Sequence, residues 1–420
     1  MKEIISGDLK NVAVTVPGSK SYSHRSIIAA SLSNGVSTVE NCLESEDTLL
    51  TIKALKVMGV DIEKNGDIYT IYGNAGIFPH KNEEIYLANS GTSLRLLTGI
   101  ASIGNGNYTL TGTERMHERP INNLLDSLKQ LGVSASSVND NNCPPVSVKG
   151  SRIDGGSITV DCSISSQFLS ALLLISPFSR DGVEISLPSE PVSKPYIDMT
   201  IDIMERAGIT VERSGYRKYF IEGNQVYRSG KYIVEPDCSN ATYFWGAAAI
   251  TGKKVKVNNI KSSSVQGDVK FVELMEEMGC TVSHEKDGIS VTGRKLKAIK
   301  TDMGNMPDVA PTLAIVAAFA EGETVISNVA HLKAKECDRL GSVVNELLKM
   351  GVKARCTDDQ LFITGGKPKA AIIDTYDDHR MAMAFSIAGL KTPGIKIKDE
   401  MCVRKSFPNY WDIFGQLYKK

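Results

Sequence analysis

Residues 45–73 read SEDTLLTIKALKVMGVDIEKNGDIYTIYG, and residues 89–101 read NSGTSLRLLTGIA. The first stretch begins as an amphipathic helix. Ser45 starts it, Glu46 and Asp47 stand in its first turn, and Gly59 sits where a left-handed residue is wanted after the last turn. A hairpin follows over Val60 to Tyr72, turning at Asn65-Gly66, a pair that favours the tight turn between strands. The second stretch opens with small polar residues and runs into a helix rich in Leu, Ile and Ala. Such a helix has no solvent face and must be buried.

The same order recurs along the chain. Gly132, Gly208, Gly279 and Gly351 close four more amphipathic helices, each roughly 70–75 residues after the last. The apolar spacing before them is helical, as in Leu124, Leu125, Leu128 and Leu131. Pro120 and Pro195 suit first helical positions. Further hairpins turn near Ser214-Gly215 and at Asp287-Gly288. Six segments open the buried kind of helix: GSKSYSHRSIIAAS, NSGTSLRLLTGIA, SISSQFLSALLLIS, DCSNATYFWGAAAI, MPDVAPTLAIVAAFA and DDHRMAMAFSIAG. A short alternating strand follows each one. The chain is therefore α/β, with six repeats, three to a domain, and a division near Tyr232. If the buried helices form the interior of each domain, their N-termini point the same way. Six positive dipole ends facing one interdomain gap would attract anions.

Composition narrows the function. The 420 residues carry 48 Lys plus Arg and 48 Asp plus Glu, so no basic surplus marks a nucleic-acid partner. The longest apolar run, Leu313 to Ala320, is far short of the roughly 18 residues that span a membrane. The N-terminus has no signal-peptide core. Eight cysteines stand singly without a CxxC pair, which reads as reduced thiols in the cytoplasm and excludes a zinc ribbon. The six histidines show no HExxH spacing.

The helix starts carry charge. Pro17 to Arg25 puts Lys20, His24 and Arg25 among hydroxyls; this is either a capped solvated helix or an anion site. It is not a P-loop, because Val14 stands where the first glycine is needed. Asn89 to Arg95 is phosphate-friendly or ordinary turn chemistry. Arg119 precedes a helix, as a carboxylate clamp or a surface arginine. Ser165-Ser166-Gln167 offers neutral donors or an N-cap. Asp308 follows Met306-Pro307 and reads as a first-turn acid or a functional one. Lys335 to Leu340 alternates charge and reads as an exposed, salt-laced turn or as part of the site. Asp377-Asp378-His379-Arg380 runs directly into a buried helix, which a mere cap rarely does. Many cations with few acids fit two anionic small substrates and acid–base chemistry between them.

These motifs resemble the 5-enolpyruvylshikimate-3-phosphate synthase family over essentially the full length. PGSKSYSHR, NSGTSLRLL, MHERP, SSQF, SKPYI, PD, KECDRL, DDHRMAM and KSFP occur in the family's order. The resemblance implies a two-domain inside-out α/β barrel of six βαβαββ repeats. The domains expected are 20–232, and 1–19 with 233–420, with the active site in the cleft between them. The implied reaction moves the enolpyruvyl group of phosphoenolpyruvate to the 5-hydroxyl of shikimate 3-phosphate through a tetrahedral adduct. By resemblance, Asp308, Glu336 and Lys20 are catalytic. Shikimate 3-phosphate is expected at Lys20, Ser21, Arg25, Ser165, Ser166, Gln167, Ser193, Tyr196, Asp308, His331 and Lys335. Phosphoenolpyruvate is expected at Lys20, Gly91, Arg119, Gln167, Arg339, Arg380 and Lys405. No metal or cofactor is expected, and the chain is expected to be a cytoplasmic monomer.

Some positions depart from the best-known enterobacterial and plant members: His331 replaces Asn, Leu96 replaces Pro and His117 replaces Lys. Glyphosate is expected to compete with phosphoenolpyruvate. Shikimate 3-phosphate is expected to draw the domains together about crossings near Gly18 and Tyr232. The rival is the sister family acting on UDP-N-acetylglucosamine, but its loop Cys position holds Glu114 here. A non-catalytic repeat scaffold would need no charge on buried helix ends.

Overall fold

A computed structural model describes residues 1–419. They divide into two compact units, 18–234 and 1–17 with 235–420. Each unit is a set of small sheets laid over a helical interior.

The repeating piece is clearest at 80–150. Strand His80–Tyr86 leads to helix Gly91–Ser102, strand Asn105–Thr111, helix Asn122–Gln130 and the hairpin Ser134–Ser137 with Val146–Gly150. The first two strands pair in parallel, as a helical crossover requires. The hairpin then adds antiparallel. Five four-stranded sheets have this arrangement. The five capping glycines 59, 132, 208, 279 and 351 all have φ between 71° and 106°, the left-handed conformation that ends each amphipathic helix.

Two sheets borrow their first strand from the far side of a chain crossing. Lys231–Ile233 pairs in parallel with Asn34–Glu40 inside 18–234. Val12–Val14 pairs in parallel with Lys254–Asn258 inside the other unit. Gly18 marks the neighbouring crossing: a Cβ there would lie 1.9 Å from the Asn41 carbonyl oxygen, so no side chain fits.

The sixth repeat is incomplete. Its sheet has three two-residue strands, and Lys2–Glu3 takes the hairpin's place beside Lys396–Ile397. Tyr410, in the short helix Tyr410–Gly415, bonds Ser386 of helix His379–Gly389 at 2.7 Å. Pro120 also departs from expectation. It lies before Ile121, the N-cap of Asn122–Gln130, so the helix starts two residues later than the proline suggests.

In 1–17 with 235–420, helices Cys238–Thr251, Ala310–Ala317 and His379–Gly389 pack on one another. Ala310–Ala317 and His379–Gly389 are buried at every residue. In 18–234, Gly91–Ser102 packs on Gln167–Ile175, and Lys20–Leu32 on Lys194–Arg206. Lys20 and Arg380 lie in the first turns of two of these helices. No helix of the described residues is long and apolar enough to cross a membrane.

Candidate active site

In 18–234, four cations gather where interior helices begin. Lys20 opens Lys20–Leu32 behind its N-cap Ser19. Its Nζ lies 3.1 Å from Oδ2 of Asp47, a buried acid in the first turn of Glu46–Val57. A chain of hydroxyls ties the same helix starts together. His24 Nδ1 meets Thr51 Oγ1 at 2.8 Å, Thr51 donates to Ser93 Oγ at 2.8 Å, and Ser93 donates to the Asp47 carbonyl at 3.1 Å. Burial pushes the His24 imidazole down to about 3, so it is neutral inside this network.

Arg25 is 1% exposed. Its guanidinium donates to Thr200 Oγ1 at 2.7 Å, to the Ser21 and Tyr196 carbonyls at 3.0 and 3.1 Å, and to Ser170 Oγ at 3.4 Å. None of these partners is charged. Burial therefore pushes the guanidinium down to about 10, which still leaves it protonated at neutral pH.

Gly91, Arg95, Arg119 and Gln167 form a second group. Arg95 donates to Gln167 Oε1 at 2.9 Å and to the Pro120 carbonyl at 3.2 Å, and lies over the Phe168 ring. Arg119 donates to the carbonyl and side-chain oxygens of Asn89, both at 3.0 Å. Gln167 donates to Thr92 Oγ1 at 2.9 Å. A Cβ on Gly91 would stand 2.5 Å from Arg119 Nη2 and 2.8 Å from Arg95 Nη1. Two guanidinium groups thus lean on bare backbone at a helix N-terminus. Ser165 accepts from the Gln167 N–H at 3.3 Å, and Ser166 is that helix's N-cap. Ser193, with φ 56°, is the left-handed N-cap of Lys194–Arg206 and leads into Tyr196.

The other unit is built differently. Asp308 lies in a 3-10 turn, Pro307–Val309, ahead of Ala310–Ala317. Its Oδ1 faces Arg339 Nη1 at 3.0 Å and Lys335 Nζ at 3.3 Å, and its Oδ2 faces Arg380 Nη2 at 2.7 Å. Burial works to raise its pKa, but Arg380, Lys335 and Arg339 outweigh it and hold the carboxyl well below the usual range. Arg339 also binds Glu336 at 2.6 Å and Asp378 at 2.7 Å. Burial opposes the charge of Arg339, yet Asp378, Glu336 and Asp308 raise its pKa. Lys405 Nζ stands 3.9 Å from Glu336 Oε1. Burial lowers the pKa of Lys335. Asp378 caps His379–Gly389 by accepting from the Arg380 N–H at 2.9 Å. His331 is buried, and burial pushes it down to about 4.

A cluster of this kind can neutralise two or three anionic groups and holds two carboxyl groups, Asp308 and Glu336, for proton transfer. Among the described residues, no group of three or more His, Cys, Asp or Glu is placed to hold a metal ion.

The sequence profile of "EPSP synthase (3-phosphoshikimate 1-carboxyvinyltransferase)" matches residues 6–414. The chain belongs to the EPSP synthase family. It is 42% identical to the 3-phosphoshikimate 1-carboxyvinyltransferase of Sulfurovum sp. (strain NBC37-1), covering 96% of each chain. It is also 42% identical to the chloroplastic enzyme of Arabidopsis thaliana, covering 99% of this chain and 85% of that one. The EPSP synthase of Acinetobacter baumannii superposes with a TM-score of 0.83 at 29% identity, over 99% and 97% of the two chains. The enolpyruvyl transferase NikO from Streptomyces tendae shares the fold, with a TM-score of 0.79 at 20% identity. The fold common to EPSP synthases is the inside-out α/β barrel.

Residues 335–340 correct one alternative. They are not an exposed, salt-laced turn: Glu336, Cys337, Arg339 and Leu340 are buried. Arg119 is likewise no surface arginine, being 4% exposed. The partners that position the cations escaped sequence reading. Asp47 read only as a first-turn acid, and Thr200, Ser170 and Tyr243 carried no signal. The Tyr243 hydroxyl accepts from Arg380 at 3.4 Å, across 137 residues of chain.

Proposed function

We propose that the chain transfers the enolpyruvyl group of phosphoenolpyruvate to the 5-hydroxyl of shikimate 3-phosphate and releases phosphate. The observation that carries this reading is Asp308, a carboxylate gripped by Lys335, Arg339 and Arg380 with Glu336 on the same arginine. Addition of a hydroxyl across a carbon–carbon double bond needs a base for the hydroxyl and an acid for the methylene carbon. Both must lie among cations that hold phosphate and carboxylate groups.

Asp308 takes the proton from the 5-hydroxyl as its oxygen bonds to the substituted carbon of phosphoenolpyruvate. Glu336, with Lys20, delivers a proton to the methylene carbon. The tetrahedral adduct then loses phosphate and returns that proton, which restores the double bond. In the free protein Asp308 is too well paired to be a strong base. Incoming phosphate and carboxylate groups compete for Arg380, Arg339 and Lys335, and its basicity rises as those cations turn to the ligand.

Phosphoenolpyruvate is assigned to Lys20, Gly91, Arg119, Gln167, Arg339, Arg380 and Lys405. Shikimate 3-phosphate is assigned to Lys20, Ser21, Arg25, Ser165, Ser166, Gln167, Ser193, Tyr196, Asp308, His331 and Lys335. The reading includes a monomer in the cytoplasm, and sedimentation equilibrium tests the monomer.

The deciding experiment measures phosphate released from phosphoenolpyruvate with and without shikimate 3-phosphate. Release is expected only when both are present. Release that needs UDP-N-acetylglucosamine instead would overturn the assignment.

A further inference from the structure

Arg339 and Arg380 depend on a turn that is strained in an unusual way. Tyr376 and Asp377 have φ of 55° and 52°, and the Asp378 N–H bonds the Thr375 carbonyl at 2.8 Å. Two consecutive left-handed residues closed by that bond make a tight turn that Asn-Gly ordinarily fills. Tyrosine is a poor occupant, because its Cβ crowds the backbone there. Such a turn persists only where its surroundings over-determine it.

The surroundings are on helix Arg339–Lys349. Glu346, wholly buried, accepts from the Tyr376 hydroxyl at 2.6 Å and from the Asp374 N–H at 3.0 Å. Lys349 pairs with both Glu346 oxygens, at 2.7 and 2.8 Å, and reaches Asp374 at 2.6 Å. At the other end of the same helix, Arg339 holds Asp378 through Nε at 2.7 Å and Nη2 at 3.2 Å. The loop 374–378 is thus stapled to one helix at two points, with the strained turn between them. Asp378 in turn caps the helix that presents Arg380.

We infer that Glu346 and Tyr376 form a positioning clasp that sets the spacing of the Arg339–Arg380 pair and so tunes its grip on phosphoenolpyruvate. Neither residue touches the reacting atoms. The clasp acts through the turn, by making the left-handed pair the lowest state and fixing Asp378 between the two arginines. The inference rests on the proposed assignment of those arginines to phosphoenolpyruvate.

Two variants test it. Tyr376→Phe removes one hydroxyl and keeps the ring; Glu346→Gln keeps the shape and removes the charge. Both should raise KM for phosphoenolpyruvate about tenfold, as loss of groups that orient a binding residue does. KM for shikimate 3-phosphate and kcat should change less. A merely structural clasp would lower the unfolding temperature and leave the phosphoenolpyruvate KM in place. A rise under threefold in Tyr376→Phe, and in Glu346→Gln if it folds, overturns the inference whatever happens to stability. If Glu346→Gln does not fold, Tyr376→Phe alone decides. Should the wild-type chain release no phosphate at all, the proposed activity fails separately. Titration with inorganic phosphate then reads the arginine pair directly: threefold weaker binding in Tyr376→Phe supports the clasp, and equal binding refutes it.

Discussion

Arg25 and Arg339 are both 1% exposed, yet the two arginines are held in opposite ways. Arg25 is wrapped by hydroxyls and carbonyls, and Arg95 and Arg119 are met by amide and carbonyl oxygens. Arg339 is wrapped by Asp308, Glu336 and Asp378. Neutral dipoles solvate a guanidinium without cancelling it, so Arg25 keeps its charge for an incoming anion. Carboxylates cancel it, so the second group is available only when a ligand's anion competes with them. The proposed acid–base chemistry falls to the second group, where Asp308 and Glu336 both stand on Arg339; the first group's buried carboxyl, Asp47, is paired with Lys20.

The sharpest break in this contrast is Asp308→Asn. It leaves the cations but removes the base, and kcat should fall roughly 10²- to 10⁴-fold in the phosphate-release assay. A fall of less than tenfold would mean that another group takes the proton.

Stability should separate the two arginines next. Arg339→Ala strands buried carboxylates and should cost about 3–5 kcal/mol. Arg25→Ala strands only neutral acceptors and should cost about 1.5–3 kcal/mol. Urea unfolding of both variants measures the difference, and equal losses would show that charged and neutral partners hold a buried arginine equally well.

Gly91→Ala probes the first group alone. The new Cβ forces the Arg119 and Arg95 side chains to shift. KM for phosphoenolpyruvate should rise about tenfold, with shikimate 3-phosphate affinity within twofold. Unchanged kinetics would show that these arginines can retreat at no cost.

The two groups should also differ in their response to pH. His24 is pushed down to about 3 by burial, so the unfolded chain binds its proton more readily. That contribution to stability is present above roughly pH 6.5 and is lost as pH falls toward 3. Asp268, in the other unit, is pushed up to about 7 by burial and by Asp308. Its folded form binds the proton more tightly, so it lowers stability as pH rises from about 4 to 7. Asp268→Asn should flatten the urea midpoint over that upper range and leave the acid limb intact. A variant whose midpoint follows the wild type across pH 5 to 8 would exclude this role. The smallest effect belongs to exposed pairs: Arg180→Ala, which breaks contacts to Asp154 and Asp181, should leave the urea midpoint unchanged within error.

Legibility in the sequence tracked how local each cause was. The capped helix, hairpin and buried helix each depend on residues a few positions apart, so Gly59, Gly132, Gly208, Gly279 and Gly351 could be read directly. The Asp378-His379-Arg380 run was visible because charge at the head of an apolar helix is locally anomalous, whereas Asp308 read equally as a first-turn acid and was singled out only by the family resemblance. The sixth sheet was not, since its third strand comes from Lys2–Glu3 at the other end of the chain. Pro120 misled because proline before a helix marks the neighbourhood of a start and not its first residue. Lys335 to Leu340 allowed two readings because alternating charge looks alike whether water or a carboxylate faces it.

The amino-acid sequence alone determined the repeat, its α/β content and the set of helix starts that carry cations and acids. Those follow from hydrophobic period, capping chemistry and composition, which act over one or two turns. Only the tertiary structure decided which charge meets which. Thr200 reaches Arg25 across 175 residues, and Asp308 reaches Arg380 across 72. Such pairings are set by where packed helices bring their ends, and by the cost of burying a charge without a partner, neither of which is written in any local stretch of chain.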